Sequence, residues 1–214
     1  SLAIIPLGML INGIFLSVWI YAPSKFKRFK SPLLLTTLSA LAVWCMFGIL
    51  MLFGVELALE SGWSAFEIGI LGLFLLIALA VAMNWKIQAT PKGKHPVARS
   101  VLFIRGSAAA SAIGVAVWLS FQGQPLIAGL AAVFPAIFLT SMVALWHAQG
   151  PTVPQGAAGP MTLGGASVAI YALVAMYSLP AWGVVFGSII AWCISVVGWS
   201  LPAYLVLRRR LTQD

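Results

Sequence analysis

Every lysine and arginine of this 214-residue chain, twelve in all, falls into one of three clusters: Lys25 to Lys30, Lys86 to Arg105, and Arg208 to Arg210. Between them run apolar stretches near the roughly 20 residues that a helix needs to cross a bilayer. If those stretches span, each cluster returns to the same face. Lysine and arginine accumulate in the loops that stay on the cytoplasmic side. The pattern therefore predicts an all-α polytopic membrane protein of seven transmembrane helices, N-terminus outside and C-terminus in the cytoplasm.

Composition removes the alternatives. The chain is 62% hydrophobic and 7% charged, with a mean hydropathy of +1.05. A soluble domain of that make-up would lack the polar surface to cover itself. The net charge of +8 raises nucleic acid as a partner and then excludes it, because the charge sits in short turns at helix ends. It reads instead as a topological signal and as contact with anionic lipid headgroups on the cytoplasmic side. The first segment lacks a basic leader, its positive charges following it, so it reads as a span and not as a cleavable signal. Cys45 and Cys193 fall inside apolar segments, where cysteine acts as a small hydrophobe.

The expected spans cover about 2–21, 32–53, 65–84, 101–121, 126–146, 161–179 and 181–207. Pro32 opens the second, a first-turn position that tolerates proline. Glu56 and Glu60 fall in an outer loop, 54–64. Pro91, Gly93 and Pro96 break the basic segment after Trp85. An inner loop, 147–160, is rich in Gly, Pro and Ala, and an outer turn falls at Pro180. Trp63, Trp118 and Trp182 mark one interface and Trp19, Trp85 and Trp146 the other, as aromatic belts do. Trp44 and Trp192 lie near mid-span, as packing residues or as the aromatic wall of a substrate cavity.

Spans one to three resemble spans five to seven. Gly13 to Ser17 aligns with Ala136 to Thr140, Ser31-Pro32 with Gly159-Pro160, and Gly62-Trp63 with Ala181-Trp182. The single membrane domain then divides into a first three-helix unit (1–86), a linker helix (99–121) and a second three-helix unit (125–207). An odd linker keeps the two triplets in one orientation, a parallel repeat about the membrane normal. This 3+1+3 layout is similar to the topology of SWEET-type sugar transporters. Their proline-glutamine signature is not in place, since Pro154-Gln155 lies in a different loop.

Asn12 and Pro135 are equivalent under the repeat. Pro135 has no N–H to give the Ala131 carbonyl one turn earlier, and Asn12 is polar at membrane depth and needs a partner. With Ser17, Trp44, Thr140 and Ser141 they form a candidate substrate-binding set. The competing reading is a packing kink with an interhelical hydrogen bond. Arg105, one turn inside the fourth span, either snorkels to the interface or points inward to bind an anionic group. Glu67, at the outer end of the third span, is either solvated or caps the cavity mouth. The sixth span holds small residues, Gly164, Gly165, Ala166, Ser167 and Ala169, that allow close helix approach. Pro202 predicts a kink in the seventh.

No catalytic, metal or cofactor set emerges. A membrane hydrolase needs an activated nucleophile with a base, and no His or Asp falls inside a span. His95 and His147 stand apart from any ligand-spaced partner. There is no bis-histidine pattern for haem and no phosphate loop. The chain reads as a non-enzyme without cofactors.

Residues 100 to 207 carry Ala128-Gly129-Leu130, then Phe134-Pro135, then a glycine-containing span. In this half the chain resembles the GlpM-like small bacterial inner-membrane proteins. That resemblance implies a bacterial inner-membrane location and a loose link to exopolysaccharide production. It implies no molecular activity, and the first three spans lie outside it.

The leading expectation is a small-solute or ion transporter that works by alternating access between the two three-helix units around Asn12, Ser17, Pro135, Thr140 and Ser141. The alternative is a non-catalytic accessory or assembly subunit that packs against a larger membrane complex. The scarcity of ionisable groups at depth favours this alternative. The expected partners are the lipid bilayer and either a further copy of the chain, as a homo-oligomer, or that larger complex.

Overall fold

The computed structural model of the protein describes residues 2–85, 99–123 and 134–211. It is helical throughout the described residues. After a 3-10 turn, Leu2–Ile4, the elements are α1 (Ile5–Phe26), α2 (Pro32–Glu60), α3 (Ala65–Met83), α4 (Arg99–Phe121), α5 (Ala136–Gln149), α6 (Thr152–Ser195), a π-turn (Val196–Ser200) and α7 (Leu201–Leu211).

Local chemistry sets most of the boundaries. Pro6 and Pro32 open α1 and α2 in the first turn, where an amide has no intrahelical partner. Ser64 and Glu67 form a reciprocal capping box on α3. The Glu67 amide donates to Ser64 Oγ (3.2 Å), and the Ser64 amide donates to Glu67 Oε2 (2.7 Å). Glu67 is thus a helix cap. Helix α2 runs on through Glu56 and Glu60, so these exposed acids lie on its last turns and not in a loop. Before Pro202, which has no N–H to continue the ladder, the turn Val196–Ser200 widens to i→i+5 bonding.

The largest departure from the sequence reading is at α6. Residues 147–160, expected as an inner loop, are mostly helix. Only Gly150 and Pro151 separate α5 from α6, and Pro154 sits in the first turn. The reversal expected at Pro180 falls instead at Gly183 (φ 72°, ψ 173°), a backbone region open essentially only to glycine. Beyond it the chain doubles back. Ser178 Oγ donates to the Gly187 carbonyl (2.8 Å), and Trp199 Nε1 donates to the Leu163 carbonyl (2.8 Å). In a straight helix the second pair would lie about 54 Å apart along the axis, so 152–182 and 184–195 are antiparallel arms of a hairpin.

Seven spans is therefore corrected to four helices that are long and apolar enough to cross a membrane among the described residues: Leu2–Phe26, Pro32–Glu60, Ala65–Met83 and the folded stretch Thr152–Arg209. The sixth and seventh expected spans are that single hairpin. Helix α5 has 14 residues, about 21 Å at 1.5 Å per residue, short of a hydrocarbon core of about 30 Å. Helix α4, rich in Ser, Gly and Ala with two arginines, is not among the four.

Helix α1 is the hub. It packs on α2, α3 and α6, and Phe15, Leu16 and Trp19 on it are fully buried. It runs parallel to α3, with Ala3 against Gly69 and Leu7 against Gly72. It runs antiparallel to the first arm of α6, where Ile20 meets Gln155, Gly13 meets Thr162 and Met9 meets Gly165. The approach is close because a Cβ on Gly69 would sit 2.7 Å from the Ala3 carbonyl oxygen, which only glycine permits. A second apolar cluster joins α1 to α2 and α5 through Trp19, Trp44 and Met142.

This register has a consequence for charge. It brings the C-terminal turn of α1 with Lys25, the end of α3, the start of α6 and the cations of α7 to one end of the bundle. Glu56, Glu60 and Glu67 lie at the other, so the molecule has a basic end and an acidic end.

Candidate functional site

The predicted substrate-binding residues fall into three groups. Asn12 is 3% exposed at the middle of α1. Its Oδ1 accepts a hydrogen bond from Trp44 Nε1 on α2 (2.9 Å), and its Nδ2 lies 3.8 Å from Met9 Sδ. The Trp44 ring meets Phe134 edge-on, centroids 5.3 Å apart. Phe134 precedes the buried Pro135, so Asn12, Trp44 and the Phe134-Pro135 pair gather at one level. Pro135 is not a kink within a helix. It is the N-cap residue of α5, where its missing amide costs no ladder bond. Ala131, whose carbonyl it was expected to free, lies outside the described residues.

The hydroxyls behave differently. Ser17 donates to the Ile14 carbonyl (2.6 Å), Thr140 to that of Ala136 (2.7 Å), Ser141 to that of Ile137 (2.5 Å) and Thr36 to that of Pro32 (2.8 Å). Each is satisfied on its own helix, the common way to carry a hydroxyl in an apolar bundle. These bonds position no group toward a shared cavity. Arg105 lies on α4, and its side chain falls outside the described residues. Trp192 is 59% exposed on the second arm of α6 and walls no cavity with Trp44.

Among the described residues, hollows interrupt the packing at three places of interest. One, of about 410 Å³, lies between α1, α2 and α3 near the acidic end, lined by apolar groups such as Leu7, Ile14, Phe47 and Leu71. A second apolar one, about 480 Å³, lies between α3 and α6. The third, about 640 Å³, lies at the basic end between α1, α3 and α6 and is polar. Tyr21, Ser24, Asn84, Trp85, Gln155 and Gly159 line it. None of the three is lined by Asn12, Ser17, Trp44, Thr140 or Ser141.

The sequence reading missed the polar hollow. Its signal was Asn84, a polar residue closing an apolar run, and Gln155, in a segment taken for loop. Gln155 Nε2 donates across to the Ile20 carbonyl on α1 (3.1 Å). Asn84 is 6% exposed; its Nδ2 donates to the Ala80 carbonyl (2.7 Å), and its amide lies against Gly159.

Comparison with family models, curated proteins and solved structures gives no match. The fold and composition define a helical membrane protein with several apolar candidate spans, in contact with the lipid bilayer.

Proposed function

We propose that this chain is a multi-pass protein of the bacterial inner membrane that works as a non-catalytic accessory or assembly subunit, with α4 as the helix that packs on a partner. The observation that carries the reading is the state of α4. Among the described elements it packs on α5, and Gly106, Ser107, Ala110, Ser111 and Gly114 on it are exposed. Alternating steps of one and three residues put these on one face, and space is open around Gly106 and Gly114. Small residues let membrane helices approach closely. Bulky apolar residues, Phe103, Trp118 and Phe121, flank the face and are 60–84% exposed.

The basic end supports an orientation with the N-terminus outside and the C-terminus in the cytoplasm. The resemblance of residues 100–207 to GlpM-like proteins is consistent with the location. The test is a photo-crosslinking residue at Ser111 in native membranes, with Val185, 68% exposed on α6, as the control. The expected result is a discrete protein adduct from Ser111, absent from Val185 and lost in Gly114→Leu. Lipid adducts alone from both positions contradict it.

A second reading, transport by alternating access around Asn12, Trp44 and Pro135, has one observation in its favour. The Asn12–Trp44–Phe134 junction lies between a hollow at the acidic end and one at the basic end. Solute uptake into proteoliposomes that Asn12→Leu abolishes would put this reading first.

A further inference from the structure

We infer that the polar hollow at the basic end is a specific site for one phospholipid whose headgroup carries hydroxyls beyond its phosphate, of the phosphatidylglycerol type. Three features converge. Its described lining carries hydrogen-bonding groups on Tyr21, Ser24, Asn84 and Gln155, and among the described residues no lining side chain is charged. Such groups suit a hydroxylated headgroup, which gives and takes hydrogen bonds.

A backbone carbonyl outside the helix ladder also lines it. Pro160 has no N–H for the Gly156 carbonyl one turn earlier, and both residues line the hollow. A headgroup hydroxyl donates to such a carbonyl; a choline, which has no donor, does not.

Finally, the rim is cationic. Lys25, Lys27, Arg28 and Lys30 are all exposed where α1 ends, and Arg28 follows the lining residue Ser24 by four positions, about one helical turn. A phosphodiester at the mouth meets this charge while the polyol enters. Trp85, 70% exposed, flanks the mouth as an amphipathic ring does at headgroup level. The source is a lipid because the site opens at the end of apolar helices, where acyl chains run alongside α1 and α3. The inference rests on the membrane reading and is independent of any partner for α4.

The test is thermal unfolding of the delipidated full chain in detergent, titrated with phosphatidylglycerol, phosphatidylcholine or inorganic phosphate. Phosphatidylglycerol at ten times its dissociation constant should raise the midpoint by about 3–6 °C, with little change from the other two. Arg28→Gln should weaken the apparent affinity about fivefold. Ser24→Glu, an exposed substitution that places a carboxylate in the mouth, should remove the shift, while Ser61→Glu at the acidic end should keep it. Equal shifts with both lipids, or a full shift in Ser24→Glu, overturn the site. A shift from inorganic phosphate alone overturns the lipid as its occupant. If Ser24→Glu does not fold, Arg28→Gln decides.

Discussion

The pairing of Asn12 with Trp44 settles how a polar side chain is tolerated in the middle of α1. Its Oδ1 takes the indole N–H at 2.9 Å, so each group answers the other's need for a partner. Leaving one alone costs about 1–3 kcal/mol. Asn12→Leu removes the acceptor of the indole N–H, and Trp44→Phe removes the indole donor to the Asn12 amide oxygen. Each should lower stability by about that amount, and the double variant should lose less than the sum, a coupling readable in a double-mutant cycle. Additive losses would mean the bond is not formed in solution. At the rim of α3, Ser64→Ala should cost about 1 kcal/mol through loss of the cap, measured by thermal unfolding. Sequence showed that Asn12 needed a partner but not which one, because a mid-helix asparagine states only the need. For Ser17, Thr140 and Ser141 the sequence did not show that each hydroxyl donates to its own helix, since serine and threonine leave no trace of that choice in the sequence.

At the scale of elements, the decisive position is Gly183. Its φ of 72° with ψ of 173° lets α6 fold back, and Gly187 then lies against the Ser178 backbone with no room for a Cβ. Gly183→Ala should destabilise by about 1–3 kcal/mol, with unfolding followed by tryptophan fluorescence. An unchanged midpoint would mean that the reversal lies elsewhere. The first three long helices were legible in the sequence because Pro32, Ser64 and their apolar runs act locally. The reversal in α6 was legible to within three residues, at Pro180 against Gly183, but the helix over 152–160 was not, because Pro154 and Pro160 mimic loop breakers while lying within helix. Packing along α1 and α3 outweighs those local preferences. The 14 residues of α5 were likewise read as part of a full span, because apolar composition does not report where a helix begins.

At the scale of the whole molecule, charge and helix register agree. The register drawn from Gln155 on Ile20, Gly69 on Ala3 and Trp199 on Leu163 gathers Lys25 and the arginines of α7 at one end and the three described glutamates at the other. The clustering of the cations was legible in the sequence, since Lys25 and the α7 arginines do share one end. The number of long apolar helices was not, nor was a polar hollow at that end and away from Asn12. We propose a membrane-embedded bundle with its basic end in the cytoplasm and a hairpin whose tip reaches the opposite face. The direct measurement is cysteine labelling in intact cells with a membrane-impermeant maleimide, using single cysteines at Lys27, Ser61, Ala181 and Arg209 in a chain lacking Cys45 and Cys193. The account predicts labelling from outside at Ser61→Cys and Ala181→Cys, and labelling of Lys27→Cys and Arg209→Cys only after the membrane is opened. Labelling of Lys27→Cys from outside would contradict the orientation, and labelling of Ala181→Cys only with Lys27→Cys would contradict the hairpin.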